Sequence, residues 1–435
     1  MSTSAFQYGY IEDVETLEYY KPGGYHPIQI GDRLHNRYRI VHKLGHGTFS
    51  TAWLAVDELA SKYVAVKVCT ADADKREVDI VSELSIAKTT NSGAISSIYT
   101  KAPLTPTILD QFSVDGPNGT HPCLVTVPAR CSLRESKEVS RWELFQLNVA
   151  RSLAVQLALA VSFVHSRGYA HGDLHLSNIL LKLPSSLNNL SVSELYAEFG
   201  EPDPQPIVRL NEPNEPNSSS PKLEAGVPSH AIPSIWLGLP SDEVTLDEAQ
   251  LLLTDFGTAF RPSEKSRFKS YTPLTIRPPE AYFEPTTPLS FPSDIWSLAC
   301  VIFELFAHRS LIDGMLASQD DITRQQVQLQ GRLPDEWWGK FENREKWFHE
   351  DGTPRSKEED VYGWDRRFEE WIQEPRAYRG MEVMGKEEKE VLLEMLQWML
   401  KWRPSERPSA DQVLETAWMR KWALPAYEEG RKGWK

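Results

Sequence analysis

The stretch His171-Gly172-Asp173-Leu174-His175-Leu176-Ser177-Asn178 holds an aspartate and, five residues later, an asparagine. It follows an apolar helical run and precedes Ile179-Leu180-Leu181, which reads as a short strand. A loop fixed between two such elements can present Asp173 as proton acceptor to a hydroxyl and Asn178 as an oxygen ligand for Mg²⁺. Further along, the apolar strand Leu251-Leu252-Leu253 ends in Asp255-Phe256-Gly257, where Asp255 can serve as a second oxygen ligand of the same hard cation. Asp-Phe-Gly alone means little; placed after the His171–Asn178 stretch it means much.

The elements that must position these groups begin upstream. In Leu44-Gly45-His46-Gly47-Thr48-Phe49-Ser50-Thr51-Ala52, two glycines between β-rich runs let backbone approach a triphosphate without a Cβ in the way. Taken alone this segment is also a plain hairpin turn. Val64-Ala65-Val66-Lys67-Val68 places Ala65 and Lys67 on one face of a strand. An inward lysine beside a small alanine needs a negative partner, which nucleotide phosphates would supply and a helix carboxylate would steady. The helical spacing from Asp74 to Lys88 offers Glu77 and Glu83, both flanking the apolar stripe Ile80, Val81, Leu84 and Ala87. Later helical runs cover Val149–Ser166, Ser293–Phe306 and Glu387–Lys401.

Composition sets outer limits. With 435 residues, 40% hydrophobic and 25% charged, the chain has the balance of a globular protein with a substantial core. Acidic residues exceed basic ones, 61 to 47, for a net charge of −14, which argues against a general nucleic-acid binder and suits basic polypeptide partners. Four cysteines without a Cys-x-x-Cys pair do not read as a disulfide scaffold. Met1–Asp13 lacks the basic start and apolar run of a signal peptide, and Ser152–Val164 reads as a core helix too short to span a bilayer. These features predict a soluble monomer of the cytoplasm or nucleus, without membrane or direct nucleic-acid contact.

Boundaries follow from pattern changes. Residues 1–36 read as an irregular extension, 37–130 as a small β-rich lobe and 131–425 as a larger helical lobe. Residues 183–248, rich in Pro, Asn and Ser at 211–221, read as a mobile surface insertion of the larger lobe. Residues 318–386, rich in Trp and charge, read as a second insertion that packs on that lobe.

Supporting pieces complete the order. Arg277-Pro278-Pro279-Glu280, Ser293-Asp294-Ile295-Trp296-Ser297 and Arg407 follow the Asp-Phe-Gly in turn. Together these motifs resemble the eukaryotic protein kinase superfamily from about Tyr38 to Trp418. The lead-in Gly23-Gly24-Tyr25-His26-Pro27, the Phe49-Ser50-Thr51 of the glycine loop and the long spacer are similar to the SR-protein kinases, in a divergent fungal form. The resemblance implies an α+β, bilobal kinase fold that uses ATP and Mg²⁺ to phosphorylate serine or threonine, with basic Arg/Ser-rich splicing factors as the substrate class. It assigns Asp173, Lys67 and Glu83 to catalysis, with Glu83 at the spacing the family uses for the lysine partner. It assigns Leu44 to Ala52, Ala65, Thr126 (gatekeeper) and Ala129 (hinge) to the nucleotide, and Asn178 and Asp255 to the metal. Asp294 is expected to brace the catalytic loop backbone and Arg407 to pair with Glu280. Thr272 or Thr275 is expected to help shape the hydroxyl-acceptor site, and Asp320 and Asp321 stand as candidates for substrate docking.

Departures carry their own expectations. Gly172 stands where the family has the arginine that grips an activation-loop phosphate, so no such phosphate should be needed. His175 replaces a lysine with a weaker, pH-dependent cation. Two rival readings share part of the pattern. Small-molecule phosphotransferases of the aminoglycoside and choline type have a similar His-Gly-Asp motif, but usually lack a Glu280-like element with its partner arginine. A pseudokinase kept for assembly would fit Ser50 and His175, but not the presence of Lys67, Asp173, Asn178 and Asp255.

Overall fold

The computed structural model of the chain describes residues 7–74, 76–86, 104–210, 223–357 and 361–434. Alternating apolar residues between Arg33 and Thr126 form one antiparallel sheet. Its strands are β1 (Arg33–Leu34), β2 (Tyr38–Gly47), β3 (Ser50–Asp57), β4 (Lys62–Cys69), β5 (Asp110–Gly116) and β6 (Gly119–Thr126). They lie in the order β1-β2-β3-β4-β6-β5. In β4 the period of two is plain: Val64, Val66 and Val68 are buried, while Ala65 and Lys67 stand half-buried on the opposite face. The valines pack with Ile40, Trp53, Ala55 and Val125. Helix α1 (Arg76–Ile86) follows β4 and buries Ile80, Val81 and Leu84; expected positions 87 and 88 lie outside the described residues.

The chain divides into two units. The first gathers Met1–Ser85, Pro106–Arg130 and Leu183–Leu237; the second gathers Ile86–Thr105, Cys131–Lys182 and Gly238–Lys435. This corrects the expected boundaries, because residues 183–237 fold with the small β-rich unit rather than the helical one. Leu187, Leu195, Ile235 and Leu237 are buried with Val41, Leu54 and Tyr63. Ser191 and Glu194 form a reciprocal capping box that starts the helix Val192–Phe199, and the Tyr196 hydroxyl donates to the Val41 carbonyl at 2.7 Å. The polar stretch 211–221, which led to the mobile reading, lies outside the described residues. The flanks pack because they carry enough apolar side chains to fill a core. Residues ahead of the sheet do likewise: Tyr8, Leu17, Tyr20 and Tyr25 cluster with Ile207, Val227 and Ala231.

The second unit is helical around Leu147–Ser166, whose residues are buried on nearly every side. That helix has 20 residues, starting two before the expected Val149–Ser166 run, and by length and apolarity could cross a membrane. However, 89% of its apolar window is buried inside the protein, which is the environment of a core helix. Helices Phe291–Phe306 and Lys386–Met399 match the other helical runs. The Trp-rich segment supplies helix Gln319–Gln330 and buries Trp337, Trp338, Phe341 and Phe368 within this unit. All four cysteines are buried and none forms a disulfide.

Candidate active site

In the first unit, the open face of the sheet collects the residues expected to meet a nucleotide. Gly45, His46 and Gly47 pair with Ala52, Thr51 and Ser50, leaving Thr48-Phe49 as the hairpin tip. Ala52 lies opposite Lys67, Leu54 opposite Ala65, and Ala65 opposite Thr126. Ala52, Ala65, Lys67 and Thr126 are all half-buried, as is Leu44, and Ala129 opens the next strand, Ala129–Ser132. Thr51 differs, since its side chain is buried and its hydroxyl accepts from the Trp53 indole at 2.9 Å. His46, Thr48 and Phe49 are exposed. A Cβ on Gly45 or Gly47 would meet no atom within 4 Å. These glycines therefore answer no packing demand of the protein itself, and bare backbone on this edge fits a phosphate group.

The carboxylate on Lys67 is that of Glu77, with Nζ and Oε1 2.5 Å apart. Of the two glutamates that flank the apolar stripe, Glu77 is thus in direct contact with Lys67, where the family spacing points to Glu83. Glu77 sits in the first turn of α1 and is half-buried beside β4, whereas Glu83 is exposed. Six residues separate them, which turns Glu83 about 240° round the helix axis from Glu77. The burial pattern of the helix carried this signal, and motif spacing did not.

In the second unit, the strand Leu251–Leu253 pairs antiparallel with Ile179–Lys182, with Leu253 opposite Ile179. The pairing continues one step beyond the strands. Thr254 donates its N–H at 2.8 Å and its hydroxyl at 3.0 Å to the Asn178 carbonyl. Asn178 and Asp255 are thereby brought to the same end of one strand pair. The Asn178 side-chain amide donates to the Asp173 carbonyl at 3.0 Å, tying the asparagine to the aspartate. Asp255 is exposed and adopts φ +61°, a left-handed conformation that costs about 1 kcal/mol or more and collects at functional sites. One Asp173 oxygen, Oδ1, is buried without a hydrogen-bond partner among the described residues, and Oδ2 lies 3.6 Å from His175 Nε2.

Two braces fix this loop. His171 is buried edge-on to Phe256; its Nε2 donates to the Thr254 carbonyl at 3.0 Å and its Nδ1 accepts from the Asp173 N–H at 3.3 Å. Asp294, in the first turn of Phe291–Phe306, accepts the N–H groups of His171 at 2.7 Å and Gly172 at 2.9 Å, and pairs with His165 at 2.9 Å. Burial alone would raise the Asp294 carboxyl. The bond from His165, the nearby imidazoles and the Gly172 N–H outweigh burial and hold it below the usual carboxylate value. Farther down, Arg407 grips Glu280 through both carboxylate oxygens at 2.8 and 2.7 Å, with both side chains buried. Both pairings expected from the sequence are present.

Comparison with known proteins adds to this geometry. A family model described as "Protein kinase domain" matches residues 38–188 and 241–419. The chain belongs to the protein kinase family. The kinase is 27% identical over 412 residues to the serine/threonine-protein kinase SRPK of Physarum polycephalum, covering 93% of this chain and 91% of that one. It is 24% identical to protein kinase dsk1 of Schizosaccharomyces pombe, over 95% and 86% of the two chains. It is 28% identical to human SRSF protein kinase 3, over 47% and 36%. The kinase is thus an ATP-dependent serine/threonine kinase of SRPK type.

The donor set suits its cofactor. Among the described residues no cluster of three His, Cys, Asp or Glu side chains could hold a metal. Asn178 and Asp255 offer two oxygen ligands, a set that Mg²⁺ completes with phosphate oxygens and water. Gly172 has φ +78°, and a Cβ there would lie 3.3 Å from the Thr258 carbonyl and 3.4 Å from the Phe260 ring. The backbone conformation and these contacts disfavour a side chain at this position, and the Arg267 guanidinium lies over the Phe260 ring at 4.8 Å. Thr272 is buried, its hydroxyl bonded to Ser270 and its carbonyl held by Arg277. The docking candidates have local duties: Asp321 caps Gln319–Gln330 with Ser318, and Asp320 accepts from Asn343.

Proposed function

We propose that this kinase phosphorylates serine and threonine hydroxyls in basic, Arg/Ser-rich proteins such as splicing factors, met in the cytoplasm or nucleus. The chemistry rests most on one observation, the buried Asp173 Oδ1 that no described residue satisfies, on a loop whose backbone Asp294 holds. The substrate class is supported by the net charge of −14 and by similarity to SRSF protein kinase 3.

Asp173 orients the incoming hydroxyl and accepts its proton, with His175 alongside. Asn178 and Asp255 would hold Mg²⁺, and Lys67, steadied by Glu77, would meet the phosphates. MgATP supplies the phosphoryl group, whose loose transition state gains chiefly from positioning and charge neutralisation. The braces at Asp294 and His171 fix Asp173 in advance of binding.

The test compares the wild type and Asp173→Asn on an Arg/Ser-rich peptide and on the same peptide with every arginine changed to glutamine. Loss of the proton acceptor should lower kcat by about 10²–10⁴-fold. The arginine-free peptide should be the poorer substrate through KM. Equal turnover by Asp173→Asn would overturn the catalytic assignment, and equal KM for the two peptides would overturn the substrate class.

A further inference from the structure

The tip of the glycine hairpin is held by a residue from ahead of the sheet. The Tyr25 hydroxyl donates to the Gly47 carbonyl at 2.8 Å and approaches that of Thr48 at 3.2 Å. The same turn is bonded on its other side to the chain entering α1. Ala71 N–H donates to the Gly24 carbonyl at 3.1 Å, and Asp72 N–H to the Gly23 carbonyl at 2.9 Å. The hairpin tip joins this connection directly too, through Thr70 N–H to the Phe49 carbonyl at 2.9 Å. Gly23-Gly24-Tyr25 therefore bridges the tip of the hairpin and the root of the helix that carries Glu77.

The bridge is itself anchored. Asn118, in the two-residue turn between β5 and β6, donates to the carbonyls of Tyr25 at 2.7 Å and Gly226 at 2.8 Å, and its own carbonyl accepts from Gly23 N–H at 2.8 Å. Gly23 has φ +88°, and a Cβ on Gly24 would fall 1.7 Å from the Tyr19 carbonyl oxygen, so the turn accepts only glycine at the second position. Tyr25 is buried against Tyr19 and Tyr20, and burial with Glu15 nearby pushes its phenol up to about 12. It remains a donor at any physiological pH. At the hairpin base, fully buried Lys43 pairs with Glu15, which also accepts from the Tyr20 hydroxyl.

We propose that Gly23-Gly24-Tyr25 is a clamp that presets the glycine hairpin for nucleotide and couples it to α1, with Tyr25 as a positioning residue for ATP. The physical reason lies in the trans peptide, whose C=O and N–H point in opposite directions. Fixing the Gly47 and Thr48 carbonyls toward Tyr25 turns the Thr48 and Phe49 N–H groups to the other side. Fixed in that sense, these donors need less ordering when phosphate arrives, which strengthens nucleotide binding without any contact from Tyr25 itself.

The test is Tyr25→Phe, which keeps the ring and removes only the hydroxyl. Its control is Tyr196→Phe, which loses a like bond to the Val41 carbonyl of β2, away from the hairpin tip. Calorimetry with Mg²⁺ and a non-hydrolysable ATP analogue reads nucleotide binding with no peptide present, so the result stands apart from the Arg/Ser reading. Tyr25→Phe should weaken that Kd, and raise KM for ATP, by about 3–10-fold, the range set by one hydrogen bond. Its kcat and peptide KM should stay within about twofold, amide exchange across 44–52 should quicken, and Tyr196→Phe should bind nucleotide as the wild type does. An unchanged Kd in Tyr25→Phe overturns the clamp, as does an equal loss in Tyr196→Phe. Should Tyr25→Phe fold poorly, exchange across 44–52 in the wild type with and without the analogue decides. Protection before nucleotide is added supports the clamp, and protection only afterwards overturns it.

Discussion

Replacing Glu77 by glutamine keeps the shape of the side chain and removes the charge that Lys67 meets. The pair is 2.5 Å apart, with the lysine side chain 31% and the glutamate 17% exposed. A hydrogen bond between charged groups contributes about 1.5–3 kcal/mol, and partial exposure weights this toward the lower end through solvent screening. Since about 1.4 kcal/mol is tenfold, kcat/KM for ATP should fall by roughly 10- to 50-fold. Glu83→Gln changes an exposed residue, where substitutions stay within about 0.5 kcal/mol, so its kcat/KM should stay within about twofold. Steady-state kinetics at varied ATP measures both. In a Lys67→Met background Glu77→Gln should cost little more, because its partner is already gone. If Glu83→Gln proves the more damaging change, the structural assignment of the lysine partner is wrong and the family spacing is right.

Two further outcomes concern the helical unit. Arg407→Met leaves the buried Glu280 carboxylate without its cation and deprives the Lys401, Pro292 and Trp402 carbonyls of a donor. The cost should be about 3–5 kcal/mol, read as a fall of roughly 6–15 °C in the scanning calorimetry midpoint, and adding Glu280→Met should recover part of it. No recovery in the double variant would show that Arg407 acts through its carbonyl contacts instead. Asp294 contributes stability that is fully present above the ordinary aspartate value of about 3.9 and is lost as pH falls through its lower folded value. The gap in melting temperature between the wild type and Asp294→Asn should therefore be widest near neutrality and shrink below about pH 4. A gap that holds constant to pH 3 would mean that the carboxylate charge is not what braces the loop.

The catalytic loop was legible because its chemistry is written in contiguous residue types. His171 to Asn178, Asp255, Asp294 and the Glu280–Arg407 pair all occupy the places that order along the chain implies. Strand β4 was legible for a different reason, since its alternation of valines with Ala65 and Lys67 states which face is open. The lysine partner was harder to read because two glutamates flank one stripe, and spacing alone does not show that Glu77 reaches Lys67. The fate of residues 183–237 was misread because a Pro- and Asn-rich centre outweighed apolar flanks whose partners, such as Val41 and Tyr63, lie more than 120 residues away. Tyr25 gave no local signal of its duty, because a hydroxyl that reaches a carbonyl 22 residues on leaves no pattern in the sequence.

The scattered make-up of the first unit has a consequence for synthesis. Its core includes Ile28, Trp53, Val125 and Ile232, so its last apolar pieces come after the strand that follows Asn178 has already been made. A chain leaving the ribosome cannot close this unit when residue 130 emerges, although the sheet itself is complete by then. It must wait for Ile232 to Leu237, roughly a hundred residues or 5–20 s later at ordinary elongation rates. Until Leu187 and Leu195 emerge, Val41, Leu54 and Tyr63 have no covering partner from the spacer, and the cover is complete only with Ile235 and Leu237, a window in which chaperones could bind.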